Sequence, residues 1–360
     1  MGEQLDSLIA EEYPYLSGKG YFDYDRAAPI SHSQIEKIKG VAMKIQPSPH
    51  SSEEQSAFDR SLSSIRETLA DIFHSSQVSF AVVLFQTREA AIDSIFEGFP
   101  WKNGFSLTVL PNFHVDISSA VKFPTIYNAA IHHSIEKSIQ KSLYCFEYDK
   151  ETTETMINLR KSSSGTRYFL CDATKRGTFD LPDLSQIPFD FTLFSFKQIC
   201  GADLTACLMR LESADMLVPL FYGGGAVSFS CIREFYHQNF KSHSKRFENG
   251  TPSMLPIFSA VTGLDLLQKM HKIGNLDERI KQIIENFKNV ANSYFEISTE
   301  NDYTVVMSRE GWTSTELQSK FAENGVFFGV RENSLVASFG MASRMQDVEV
   351  FHKTAQLLFN

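Results

Sequence analysis

The sequence predicts an α/β fold: a large domain built on a mostly parallel sheet, followed by a small C-terminal α+β domain. Three observations carry that expectation. Strand and helix patterns alternate from residue 78 to residue 211, as they do where parallel strands are joined by helical crossovers. Residues 78–85 are apolar except for Ser79, which suits a strand buried on both faces. Beyond residue 253 the pattern changes to two long helices and then four short strands.

Taken in order, residues 1–20 form an N-terminal arm and residues 21–24 a short extended lead-in. Residues 31–45 read as a helix capped by Ser31 or Ser33. Pro47 and Pro49 break the chain, and residues 53–73 return to helical spacing with Phe58, Leu62, Ile65, Leu69 and Phe73 on one face. After the strand at 78–85 come a helix at 89–99, a strand at 106–110, a helix at 131–142 and strands at 168–171, 191–196 and 206–211. Gly223-Gly224-Gly225 is a flexible break. Helices at 254–271 and 278–291 then lead to strands at 294–298, 303–307, 326–330 and 334–339. The domain boundaries that follow are an arm at 1–20, a large domain at 21–252 and a small domain with its connecting helix at 253–360.

Composition narrows the class of partner. With 42% hydrophobic and 21% charged residues and a formal net charge of -9, the 360-residue chain is an ordinary soluble globular protein. The absence of a long basic run argues against nucleic acid and anionic membrane as partners. Cys145, Cys171, Cys200, Cys207 and Cys231 are odd in number and form no CxxC pair, so neither a disulfide framework nor a metal site is expected. A reducing cytoplasm is the natural compartment. Glu3, Asp6, Glu11 and Glu12 rule against a signal or transit peptide at the N-terminus, and no apolar run is long enough to span a bilayer.

The chemistry is expected where the strand at 191–196 ends in Ser195, Phe196 and Lys197 before Gly201. A lysine at the end of a buried strand can be desolvated until its amine is neutral and nucleophilic, although most strand-end lysines are solvated. Around it stand Pro49-His50-Ser51, Gly98-Phe99-Pro100-Trp101, His114, Asp172-Ala173, Phe221-Tyr222-Gly223-Gly224-Gly225 and Arg246-Phe247-Glu248-Asn249-Gly250-Thr251-Pro252. In this order, across residues 21–340, these words resemble the fold-type-I pyridoxal-phosphate enzymes of class V. Within that class they resemble the aminotransferase-like domain of the molybdenum cofactor sulfurases, in divergent form.

The resemblance implies roles. Asp172 would pair with the pyridine nitrogen of pyridoxal phosphate, His114 would stack on its ring, and Lys197 would be the Schiff-base lysine. Ser195, Thr87, Arg88, Gly224, Gly225 and Thr251 would lie around the cofactor. A homodimer and a small amino-acid ligand are also implied. The separate C-terminal domain of full-length sulfurases has no counterpart before Asn360.

Departures from the family pattern accumulate. An ungapped alignment of Ser195-Phe196 and Gly201 puts the family's lysine on Gln198, one residue past Lys197; on a strand, that shift turns a side chain to the opposite face. The small phosphate-binding turn becomes Thr87-Arg88-Glu89, where Arg88 either binds phosphate or pairs with Glu89. Ala226 replaces a threonine after the glycines, and Asp25-Arg26 replaces Ala-Gly at the substrate end. Val336 stands where many members carry a carboxylate-binding arginine. No cysteine lies between Gly325 and Gly340 to carry a persulfide, and Cys200 reads as a small buried hydrophobe.

Two readings follow: a non-catalytic, dimeric binding scaffold descended from that fold, which the losses favour, and an active sulfur- or amino-group transferase using Lys197. A third, an unrelated α/β protein with chance matches, is the bland alternative. The orientation of Arg88 and the register of Lys197 discriminate between the first two.

Overall fold

The computed structural model describes residues 2–43, 52–76, 79–136, 139–161, 165–187, 189–223, 226–231, 233, 236–239, 242–250 and 253–359. Its strands, in chain order, are β1 (Gly20–Phe22), β2 (Phe80–Phe85), β3 (Ser106–Val109), β4 (Ile131–His132), β5 (Lys141–Glu147), β6 (Thr166–Asp172), β7 (Phe191–Ser195), β8 (Thr205–Arg210), β9 (Val227–Cys231), β10 (Tyr236–Asn239), β11 (Glu296–Asn301), β12 (Thr304–Ser308), β13 (Val326–Arg331) and β14 (Ser334–Ser338). The chain divides into two compact units. A central unit holds residues 44–196 and 203–257, and a terminal unit holds residues 1–43, 197–202 and 258–360.

The central unit contains a seven-stranded sheet in the order β2-β8-β7-β6-β5-β3-β4. β8 runs antiparallel to both neighbours and every other pairing is parallel. The carboxyl ends of β2, β3, β5, β6 and β7 therefore share one edge, which is where α/β sheets place their ligands. Leu143, Cys145, Leu170, Phe191, Leu193 and Cys207 form the middle of the core. Gly98-Phe99-Pro100-Trp101 closes the helix Arg88–Gly98 by burying Trp101, whose Nε1 donates to the Phe96 carbonyl at 2.6 Å.

Although β2 is an edge strand, all six of its residues are buried, as its unbroken apolar run requires. Its outward backbone groups are met by side chains. Arg66 Nε donates to the Val82 carbonyl at 3.2 Å, and Glu248 Oε1 accepts from the Leu84 amide at 3.2 Å. Arg66 Nη2 also donates to that same Glu248 oxygen at 2.5 Å. An interlocked ion pair thus takes the place of a neighbouring strand and blunts the edge.

The terminal unit contains a five-stranded sheet, β1-β13-β14-β12-β11. β1 pairs with β13 in parallel, and the remaining pairs are antiparallel. Its core is aromatic: the Phe22 ring lies 5.0 Å from Phe287 and 5.2 Å from Phe328, and Phe287 lies 4.7 Å from Phe351. Ser31 caps the helix His32–Ala42 in a capping box with Gln34, which settles the choice between Ser31 and Ser33.

Several sequence expectations need correction. The pairing of β1 with β13 draws residues 1–43 into the unit that holds the C-terminal strands, whereas the sequence suggested a large domain beginning at residue 21. The expected arm contains a helix, Gly2–Glu12, with Leu5, Leu8 and Ile9 buried. The expected helix at 131–142 is instead β4 and the start of β5. Ile131, Ile135 and Ile139 imitate a helical face, but the adjoining run from Leu143 to Phe146 is fully buried in the sheet. Helices Lys150–Lys161, Ser314–Glu323 and Met345–Phe359 were also not expected. Pro49, His50 and Ser51 lie outside the described residues.

Candidate functional site

The carboxyl edge of the central sheet gathers Asp172, His114 and Arg88, three of the residues singled out from sequence. Asp172 ends β6 and is 4% exposed. Its Oδ1 accepts the Thr174 amide at 2.9 Å, so the carboxylate is held by its own turn. Its Oδ2 accepts Arg88 Nη1, also at 2.9 Å. Arg88 therefore points toward the strand ends, with β8 and β7 between its own strand and β6. Its partner in the structure is Asp172 rather than Glu89.

Thr87 is the N-cap of the helix Arg88–Gly98, and its Oγ1 accepts the Ala90 amide at 3.1 Å. Ser195 ends β7, is buried, and donates its amide to Thr174 Oγ1 at 3.0 Å. Thr174 thus ties the ends of β6 and β7 together. His114 follows β3, and its Nε2 lies 3.9 Å from Oε2 of Glu147, the last residue of β5. Glu147 is paired in register with Asp172, which links His114 to Arg88 through two adjacent carboxylates. Glu147 and Thr174 were not singled out from sequence. The signals were present: a polar residue ending an apolar run, and a threonine two residues past a strand-end aspartate.

The glycine-rich words join each other. The Gly223 amide donates to the Asn249 carbonyl at 2.7 Å, and Arg246 Nη2 donates to the Leu217 carbonyl at 2.5 Å. Asn249 itself has a left-handed φ of 52°. Beside this loop a cavity of about 430 Å³ is lined by Leu84, Gln86, Ala90, Phe247, Asn249 and Gly250, among others. The expected cofactor residues Gly224, Gly225 and Thr251 lie outside the described residues.

In the terminal unit, Lys197 departs from expectation. It sits in the short helix Phe196–Cys200 rather than at a strand end, and it is exposed. The next side chain, half-buried Gln198, directs its amide toward the carbonyls of Asp25 and Arg26 at 3.5 and 3.4 Å. Because these residues are helical, the one-residue shift rotates the side chain by about 100° rather than reversing its face. Gly201 ends the turn at a φ of 77°, where a Cβ would stand 2.7 Å from the Ala28 carbonyl oxygen.

The same unit carries an ion network at Asp25-Arg26. Arg331 lies 3.6 Å from Asp25 and pairs with Glu300. Burial raises the Asp23 carboxyl to about 6, with Arg26 at 3.9 Å too distant to restore a low value. Asp23 Oδ1 lies over Gly329, where a Cβ would approach it to 2.8 Å. Val336 is buried.

Comparison with known proteins decides the family. Residues 120–350 match the family model for aminotransferase class V. The chain belongs to that family. Molybdenum cofactor sulfurase from Danio rerio is 24% identical over 309 residues, covering 75% of this chain and 37% of its own length. The Homo sapiens protein is 26% identical over 321 residues, covering 77% and 35%. The chain thus spans well under half the length of these curated relatives. Among solved structures, the Escherichia coli cysteine desulfurase CsdA aligns with a TM-score of 0.82 at 13% identity over 98% of each chain. The cystine C–S lyase C-DES, described in complex with its product cysteine persulfide, aligns with a TM-score of 0.79 at 15% identity over 97% of this chain and 99% of its own. Another C-DES structure is described with glycine covalently linked to its PLP cofactor. These likenesses establish the fold, which is the fold-type-I α/β architecture expected from sequence.

Cys145, Cys171, Cys200 and Cys207 are buried, and burial pushes their thiols up, to about 12 for Cys200. None of them has the low-pKa environment of a reactive thiolate. Among the described residues no cluster of histidine, cysteine or carboxylate could hold a metal ion, and no helix is long and apolar enough to cross a membrane.

Proposed function

We propose that this class-V chain is a dimeric, cytoplasmic binding protein that holds pyridoxal phosphate at the carboxyl edge of its central sheet and has lost lysine-dependent catalysis. Family membership and the C-DES neighbours support pyridoxal phosphate as the cofactor. The residues present fit its ring. Asp172, buried at the end of β6, would take the ring nitrogen, and His114 would cover the ring face. The phosphate end is weaker, because Glu89 occupies the first helical turn, where its negative charge opposes a phosphate. When bound, the cofactor supplies an electron sink for carbanions on an amino acid.

The observation that carries the reading is the Arg88–Asp172 pair, taken with the exposed, helical Lys197. The chain's own cation already sits on the carboxylate that would serve the ring, and the lysine is exposed on a short helix rather than set at the end of the buried strand. The buried cysteines likewise support no persulfide relay. Five free cysteines suit a reducing compartment. For the dimer, Val218, Leu220, Phe221 and Tyr222 form one exposed apolar stretch, with Phe221 69% exposed, and a second copy is the partner we assign to it.

The test is an absorption titration with pyridoxal phosphate, followed by borohydride reduction, peptide mapping and sedimentation analysis. Bound cofactor with no lysine adduct, on a dimer, is the expected result. A reducible adduct on Lys197 together with turnover of a small amino acid would replace this reading with that of an active transferase.

A further inference from the structure

We infer that Arg88 is a self-occupying latch on Asp172: it and the ring nitrogen of pyridoxal phosphate compete for the same carboxylate oxygen, so Arg88 sets the affinity of the site. The inference rests on the reading that Asp172 serves the ring nitrogen. Three features of the structure support it. First, the carboxylate is not free to turn, because Oδ1 is held by the Thr174 amide at 2.9 Å. That leaves Oδ2 to meet a partner from outside the turn, and Arg88 Nη1 meets it at 2.9 Å. Second, a protonated ring nitrogen brought to this oxygen would stand beside a guanidinium, and two cations on one carboxylate oppose each other. Third, Arg88 can leave. Its side chain retains 21% exposure, and it stands at the first position of the helix Arg88–Gly98, whose end is secured independently by Thr87. Swinging out breaks no helical bond.

The latch is tested by equilibrium titration of the full chain with pyridoxal phosphate, comparing wild type, Arg88→Gln, Asp172→Asn and the double variant. Arg88→Gln is expected to bind about tenfold more tightly, the factor expected if roughly one molecule in ten has the latch open. In the Asp172→Asn background the same change should alter affinity by less than about twofold, since the two residues act through one contact. Arg88→Lys keeps the cation without the planar fork and should fall between, which preserves the test if Arg88→Gln fails to fold. Unchanged or weaker binding by Arg88→Gln overturns the latch and makes Arg88 a ligand or a structural residue. If Asp172→Asn leaves affinity intact even beside Arg88→Gln, the ring is not at Asp172, and the underlying reading fails with the latch. Failure of every variant to bind overturns both.

Discussion

Two arginine–carboxylate pairs in the central unit are alike in chemistry and burial. In Arg66–Glu248 the side chains are 20% and 5% exposed, and in Arg88–Asp172 they are 21% and 6% exposed. What separates them is what else each partner holds. Arg66 and Glu248 each bond the backbone of β2 as well as each other, so neither can move without exposing a strand edge. Arg88 spans from the end of one strand to the end of another and meets a carboxylate that its own turn already orients. The first pair substitutes for a strand. The second joins two ends of the sheet edge, and in the latch proposed above it would exchange for a ligand. Burial and distance alone do not distinguish a structural ion pair from a functional one; the surrounding hydrogen bonds do.

The comparison breaks first at Arg66. Arg66→Ala should destabilise the protein by about 3–5 kcal/mol, because it strands a buried carboxylate and a strand carbonyl together. Urea unfolding followed by circular dichroism measures this, and a loss below about 1 kcal/mol would erase the distinction. Burial already raises the Glu248 carboxyl, and Arg66 opposes that rise. In Arg66→Ala the acid form is favoured further, so the variant should recover stability as pH falls and lose it as pH rises through the raised value.

Arg88→Gln is expected to have a smaller effect, about 1–2 kcal/mol in the same assay, because the pair it breaks holds no backbone group of β2. A loss as large as that of Arg66→Ala would mark Arg88 as structural. The smallest effect sharpens the comparison with a carboxylate whose arginine, Arg26, stays 3.9 Å away. Asp23, raised to about 6 by burial, folds more favourably as the acid. Its contribution is therefore full below the ordinary aspartate range and lost as pH rises through about 6. Asp23→Asn should flatten that slope, by less than about 1 kcal/mol after solvent screening, seen as a smaller gain in melting temperature between about pH 7 and pH 4.5. An unaltered slope would show that Asp23 is not the group responsible.

Much of the site could be read from residue order because strand ends are local features. Asp172 after an apolar run, Ser195 after another and Thr87 before a helical pattern each occupy the structural position read for them. Lys197 was misread for a related reason. An apolar run reports burial but not where a strand yields to a helix, and Phe196 is equally buried in either. Glu147 was hidden because the isoleucines at 131, 135 and 139 suggested a helix over the residues that begin β5. The helix at residues 345–359, with Asp347 and Arg344 paired in the interior, has an apolar pattern too interrupted by polar residues to stand out.

The sequence by itself determined the class of fold, since the alternation of period-2 and period-3.6 apolar patterns leaves few ways to bury them. It also placed the end of β2 at Phe85 and that of β6 within one residue of Asp172. Only the tertiary structure decided that residues 1–43 add a strand to the C-terminal sheet, that Glu248 caps the β2 edge 164 positions away, and that Arg88 lies on Asp172. These contacts join segments far apart in the chain. Pairing charge with charge follows from which backbone ends are brought together, and a sequence pattern read a few turns at a time contains no term for that.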